Sequence, residues 1–182
     1  MSLPLTIDPT LPHMCAALLA IVFLSGAWQK LRNMDTFAMA IEQYQLLPPS
    51  LALGAAWGLL AAELAAGVLL LPIATRELGA ALALLVLAVV TLAVAFNLLR
   101  GRRAIDCGCG GPEGSQHLSW GLVLRNGLLS LGVGLAVAAE TPRELVWLDG
   151  VTVVAGALAM YGLYAAANQL MANRPQLLKL KG

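Results

Sequence analysis

The segment Leu78–Leu99, LGAALALLVLAVVTLAVAFNLL, decides the fold of this chain. It contains no charged residue, and Asn97 is its only amide side chain. A helix rises about 1.5 Å per residue, so this segment is long enough to cross the roughly 30 Å hydrocarbon core of a bilayer. Lipid offers no partners to backbone amides, and the period-two alternation of a barrel strand is absent. The segment therefore predicts a transmembrane helix.

The rest of the sequence has the same apolar character. Of its 182 residues, 59% are hydrophobic and 12% are charged, against about 25% charged in ordinary soluble domains. The net charge of +1 gives no reason to expect nucleic-acid binding. The pattern predicts an all-α, polytopic membrane helix bundle that forms a single integral membrane domain over 1–182. The expected elements are spans at about 11–28, 51–71, 78–99, 120–139 and 147–171, an amphipathic interfacial helix at about 34–47, and a cysteine loop at 100–119.

The distribution of basic residues predicts the orientation of these spans. Five spans place the N-terminus on one side and the cysteine loop and C-terminus on the other. The first side carries Arg76 and Arg143. The second side carries many more basic residues, namely Lys30, Arg32, Arg100, Arg102, Arg103, Arg174, Lys179 and Lys181. The positive-inside rule therefore places the cysteine loop at the cytoplasmic face.

The cysteine loop contains DCGCGG, in which Cys107 and Cys109 are separated by one glycine. Such a pair can cycle between dithiol and disulfide, bind a soft metal such as Cu(I) with His117 as a third ligand, or have no chemical role. A disulfide across one residue is strained and therefore labile, and the neighbouring glycines supply the torsional freedom to close it. Asp106 would oppose thiolate formation, whereas nearby arginines would favour it. Cys15 lies within an apolar span, where we expect an unreactive thiol.

Charged groups also occur inside predicted spans. Glu63 lies near the middle of the second span, and Arg125 lies one or two turns into the fourth. Such groups are costly in lipid and usually face the bundle interior or a partner, so a Glu63–Arg125 ion pair is one interpretation. Lys30 and Asn126 are further polar groups near the cysteine end of the bundle.

Three segments carry a resemblance to a known family. They are FLSGAWQKLRNMDTFAMAIEQYQLLP (23–48), LAAELAAGVLLL (60–71) and LLRGRRAIDCGCGGPEGSQHLSWGLVLRN (98–126). Together they resemble the MauE/DoxX family of redox-associated membrane proteins, with the cysteine loop as the most specific element. Where relatives often have an aromatic residue after the second cysteine, this chain has Gly110.

The resemblance implies a compact bundle with a DoxX-like four-helix core and one further helix, in a multi-pass protein of the bacterial cytoplasmic (inner) membrane. It also implies thiol–disulfide exchange during maturation of an exported, disulfide-rich client. For the methylamine-utilisation members, that client would be the small subunit of methylamine dehydrogenase, and a thioredoxin-like partner of the MauD type is implied. The family places its client outside the cytoplasm, whereas the charge count places the cysteine loop inside.

The sequence therefore suggests a membrane thiol–disulfide protein in which Cys107 and Cys109 form the redox couple. Lys30, Glu63, Asp106, Arg125 and Asn126 would support it. A soft-metal protein using the same sulfurs, and a non-catalytic anchor for a thioredoxin-like protein, are the alternatives. No quinone or haem motif is recognisable, and a redox-active disulfide is the only redox group indicated, with a quinone left open.

Overall fold

The computed structural model describes residues 7–102, 105, 107 and 117–179, the last six of these for their backbone alone. Its helices, in chain order, are α1 (Thr10–Arg32), α2 (Met34–Gln43), α3 (Pro49–Leu69), α4 (Arg76–Leu99), α5 (Trp120–Ala136) and α6 (Trp147–Lys179). A 3₁₀ turn, Ile73–Thr75, precedes α4. Within the described residues there is no β-strand, and Ile7 forms an isolated bridge with Glu140.

Four helical segments are long and apolar enough to cross a membrane. They are Thr10–Arg32, Pro49–Leu69, Ile73–Leu99 and Trp147–Asn173. The apolar helix α5 has 17 residues, which corresponds to a length of about 25 Å. The predicted all-α, polytopic membrane bundle is therefore confirmed, and the exact number of spans stays a prediction.

The core consists of α1, α3, α4 and α5, and each of these helices packs against two of the others. Small buried residues, among them Ala20, Ala66 and Ala83, line their contacts. Small side chains let helix backbones approach closely, which is how packing is gained where lipid removes the hydrophobic driving force. At Gly79 the backbones approach so closely that a Cβ atom there would lie 2.7 Å from backbone atoms of Leu69 and Leu70.

The last helix, α6, lies at the periphery of this core. It packs mainly against α1, where Gly156 faces the side chain of Met14. Only 6% of its spanning window is buried within the protein. Most of its surface is therefore free to face lipid.

The short helix α2 follows α1 after Asn33 and packs against α3. Phe37 and Ala40 are the residues of α2 that are buried. The helix was expected to continue to about residue 47 but ends at Gln43, because Gln45 has a φ of 50° that a right-handed helix does not accept. Pro49 then starts α3 at a position where a helix has no need of the missing N–H.

The N-terminal segment is tied to the connection between α5 and α6. The Ile7 amide donates to the Ala139 carbonyl at 3.0 Å, and the Thr141 amide donates to the Ile7 carbonyl at 2.9 Å. The Arg143 guanidinium donates to Asp8 and also to Asp149 in the first turn of α6. These contacts hold the start of α6 against the start of α1.

Candidate functional site: a polar cavity beside Cys107

A cavity of about 1200 Å³ is lined by residues of all six helices and by Cys107 of the cysteine loop. Apolar side chains from α3 and α4, such as Leu59 and Val90, form part of its wall. Lys30, Glu63, Arg125 and Asn126, which were singled out from the sequence as supporting residues, also line it. The fold therefore brings these four polar residues and Cys107 around one space.

Lys30 and Glu63 form an ion pair between α1 and α3. The Lys30 Nζ atom donates to both carboxylate oxygens of Glu63, at 2.5 and 2.6 Å. Their side chains are only 10% and 8% exposed, and the Lys30 ammonium also lies 5.3 Å from the centre of the Phe37 ring. Because a charge in the membrane interior is costly, this pairing explains how both residues are accommodated.

Arg125 anchors a second polar group that joins α4, α5 and α6. Its Nη1 atom donates to Asn168 Oδ1 at 3.1 Å, and its Nε and Nη2 atoms donate to Asn126 Oδ1 at 3.3 and 3.2 Å. Asn126 is 2% exposed, and its Nδ2 atom donates to Thr91 Oγ1 at 3.0 Å. The structure thus pairs Glu63 with Lys30, and Arg125 donates to two asparagines.

Cys107 is buried against the cavity wall. It is 6% exposed and belongs to an apolar cluster with Tyr44, Ile105 and Leu118. The Tyr44 hydroxyl lies 3.5 Å from the Cys107 carbonyl oxygen and donates to it, and the Leu118 amide donates to the Ile105 carbonyl at 3.1 Å. Glycines and polar residues surround Cys107 in the sequence and favour an exposed sulfur. The structure instead buries Cys107, because the ends of α2, α4 and α5 close around it.

The structure gives less information about the other residues proposed for the cysteine chemistry. Cys109 and Asp106 lie outside the described residues. His117, the proposed third metal ligand, is exposed. Within the described residues, no group of three or more His, Cys, Asp or Glu side chains is arranged to hold a metal ion. Cys15 is buried in α1 at 3% exposure.

Sequence reasoning missed the contribution of α6 to this site. Tyr161, Tyr164 and Asn168 all line the cavity, and the two tyrosine rings stack with their centres 6.2 Å apart. Their spacing of three and four residues puts them on one face of a helix. Three polar side chains that repeat on one face of a largely apolar helix were a signal that the sequence already contained.

The fold and the site together define the class of protein. This is a multi-pass helical membrane protein in which a loop cysteine borders a cavity that contains an ion pair and an arginine.

Comparison with known proteins identifies the family. The family model described as methylamine utilisation protein MauE matches residues 8–139. The methylamine utilization protein MauE of Paracoccus denitrificans is 36% identical over 84% of this chain and 82% of its own length. The MauE proteins of Methylorubrum extorquens and Paracoccus versutus are 37% identical over 94% and 32% identical over 96% of this chain, covering 87% and 96% of their own lengths. No solved structure is significantly similar. The chain therefore belongs to the MauE family and to the proteins of methylamine utilisation.

Proposed function

We propose that this protein is a membrane thiol–disulfide carrier in which Cys107 and Cys109 form the redox couple. It would act in the bacterial cytoplasmic (inner) membrane during maturation of an exported, disulfide-rich enzyme. Its membership of the MauE family makes the small subunit of methylamine dehydrogenase the proposed client. A thioredoxin-like protein of the MauD type is the proposed exchange partner.

The observation that carries the proposal is the position of Cys107 on the wall of a cavity that also contains Arg125. Positive charge near a cysteine favours the thiolate, which is the form that attacks a disulfide. A cysteine placed only for packing would need no such surroundings, since an ordinary buried thiol behaves as a small apolar group.

The spacing of the two cysteines supports the same conclusion. Only Gly108 separates them, so a disulfide between them closes a very small ring. Departure from relaxed disulfide geometry makes such a bond easier to reduce, and strained disulfides are the ones that exchange rather than persist. The pair is therefore suited to passing a disulfide on and not to stabilising a fold.

The burial of Cys107 limits which of the two cysteines a partner thiol can reach first. A partner thiol must approach a sulfur before exchange, and a side chain with 6% exposure offers little access. We therefore assign the first contact with a partner to Cys109 and the second, resolving step to Cys107. In this order, Cys107→Ser traps a mixed disulfide between Cys109 and the partner, because the resolving thiol has been removed.

Thiol alkylation followed by mass spectrometry tests the proposal. Oxidised protein, denatured and alkylated with and without prior reduction, should gain two alkylated cysteines on reduction, and both should be in the 107–109 peptide. Cys15→Ser is the matched control and should leave this difference unchanged, because Cys15 is buried in α1 away from the cavity lining.

Three outcomes oppose the proposal. If Cys107 and Cys109 are always reduced in protein isolated from an oxidising compartment, they are not a redox couple. If Cys107 and Cys109 become protected from alkylation only when Cu(I) is added, the metal-binding alternative is indicated. Full client maturation with both cysteines replaced by serine would indicate a non-catalytic anchor.

A further inference from the structure

We propose that the cavity beside Cys107 binds a lipid-soluble quinone, which accepts the electrons of the cysteine pair. This inference rests on the proposed thiol–disulfide function and names the oxidant that such a function requires. It follows from the size of the cavity, its opening and the chemistry of its wall.

The cavity has the dimensions of a small-molecule site. Its volume of about 1200 Å³ slightly exceeds the roughly 300–1,000 Å³ of typical ligand pockets. A quinone ring fills only part of such a space, and the remainder accommodates the first units of an isoprenoid tail. The mixture of an apolar wall with a few converging polar groups is typical of cofactor sites.

The cavity reaches the lipid-facing surface of the bundle. Leu85 and Val89 of α4 line it and are 60% and 52% exposed, and both lie within a segment long and apolar enough to span the membrane. Gly58 of α3 is also exposed and lines the same space. A ligand dissolved in the bilayer can therefore enter sideways, which a water-soluble electron acceptor could not do at these positions.

The polar part of the wall matches the chemistry of a quinone. Its two carbonyl oxygens accept hydrogen bonds, and they gain negative charge as electrons arrive. Arg125 places positively charged N–H donors on the wall, and such fixed donors stabilise charge that develops during a reaction. The stacked rings of Tyr161 and Tyr164 offer flat surfaces on which a quinone ring can pack.

The electron balance is complete with this acceptor. The thiols of Cys107 and Cys109 lose two S–H protons and two electrons, and one S–S bond forms between them. The quinone takes up two electrons and two protons, and its two carbonyls become the two O–H groups of a hydroquinone. When the strained disulfide oxidises a partner, it is itself reduced to two thiols. A two-electron oxidant must therefore re-form the disulfide in every cycle.

Binding can be tested with decylubiquinone, a short-tailed benzoquinone, and the purified protein in lipid nanodiscs. We expect saturable binding, measured by quenching of tryptophan fluorescence against empty nanodiscs. Gly58→Phe should fill the cavity opening and weaken affinity about tenfold or more, because the side chain takes the space of the ligand. Gly54→Phe is the matched control: Gly54 is exposed one turn earlier on α3, does not line the cavity, and has equally open space around its Cβ position.

A second pair of variants tests the opposite wall. Ala165→Phe places a ring into the cavity from α6, whereas Ala166, the next residue, is exposed and does not line the cavity. Affinity should fall in Ala165→Phe and stay within about twofold of the parent in Ala166→Phe. Absence of saturable binding in the parent, or equal affinities within both pairs of correctly folded variants, overturns the proposal.

Replacing both cysteines separates this inference from the proposed function. The Cys107→Ser, Cys109→Ser double variant should bind decylubiquinone normally but no longer reduce it, as followed by the ultraviolet absorbance of the quinone. If the parent cycles with dithiothreitol and oxidised glutathione but transfers no electrons to bound quinone, the acceptor is wrong and the thiol–disulfide function stands. If it binds quinone but its cysteines never cycle, the thiol–disulfide function and the electron transfer are both wrong.

Discussion

Removing the carboxylate of Glu63 should destabilise the bundle by more than most single substitutions do. In the parent, the Lys30 ammonium donates to both oxygens of the negatively charged Glu63 at 2.5 and 2.6 Å. In the variant Glu63→Gln it loses that negative charge and one of the two acceptors, since an amide has a single, neutral oxygen. The lysine side chain is 10% exposed, so water cannot replace that charge where it lies. Breaking a buried pair by removing one partner typically costs about 3–5 kcal/mol, and we expect a loss in this range for Glu63→Gln.

Removing both charges should restore most of that stability. A buried ion pair and its well-packed apolar replacement often differ little, because the attraction in the pair is offset by the desolvation of both ions. We therefore expect Lys30→Met combined with Glu63→Met to cost much less than the sum of the two single changes. The coupling energy between the two sites should reach about 2–3 kcal/mol.

The assay is reversible unfolding in mixed micelles with increasing sodium dodecyl sulfate, followed by circular dichroism for the parent, Glu63→Gln, the two single methionine variants and the double methionine variant. Glu42→Gln is the control, because Glu42 is an exposed carboxylate on α2 and its replacement should change stability by less than about 0.5 kcal/mol. Strict additivity of the two methionine substitutions would refute the reasoning, since it would mean that the pair contributes no mutual stabilisation.

Topology and pH dependence offer two further tests. Reporter domains fused at Gly114 and at the C-terminus should fall on the same side of the membrane if five helices span it, and opposite sides would overturn that count. The hydrogen bond from Arg143, followed by those from Thr10, lowers the pKa of Asp8 below its ordinary value of 3.8. The contribution of this carboxylate is therefore fully present above pH 3.8 and is lost as pH falls further. The stability difference between the parent and Asp8→Asn should accordingly be constant from pH 7 to 5 and shrink below about pH 4.

Much of the fold could be predicted because single segments determine it. The spans predicted at 78–99 and 51–71 correspond to α4 (Arg76–Leu99) and α3 (Pro49–Leu69). A long apolar run must be helical in lipid whatever its neighbours are, since its backbone groups have no other partners. Prediction was weaker where this constraint ends, as at α2, whose end depends on the positive φ of Gln45.

The candidate site could be predicted only in part. Lys30, Glu63, Arg125 and Asn126 were recognisable because polar groups are rare within apolar helices and rarely lack a purpose there. Their pairing was not recognisable. Depth along the helices suggested Arg125 as a partner for Glu63 and did not suggest Lys30, which the structure pairs with Glu63. The side chain of lysine is long enough to reach a carboxylate on another helix, so depth alone could not decide the partner.

By itself, the sequence determined the class of the protein, the approximate helices and the residue types available for chemistry. These follow from local properties, since hydropathy and chain length act on each segment separately. Only the tertiary structure decided that Cys107 is buried, that Tyr161 and Asn168 of the last helix join the site, and that one cavity connects them. Such facts depend on how each helix is rotated and packed against its neighbours. In lipid that packing is set by close contacts between small residues spread over several helices, which no single segment encodes.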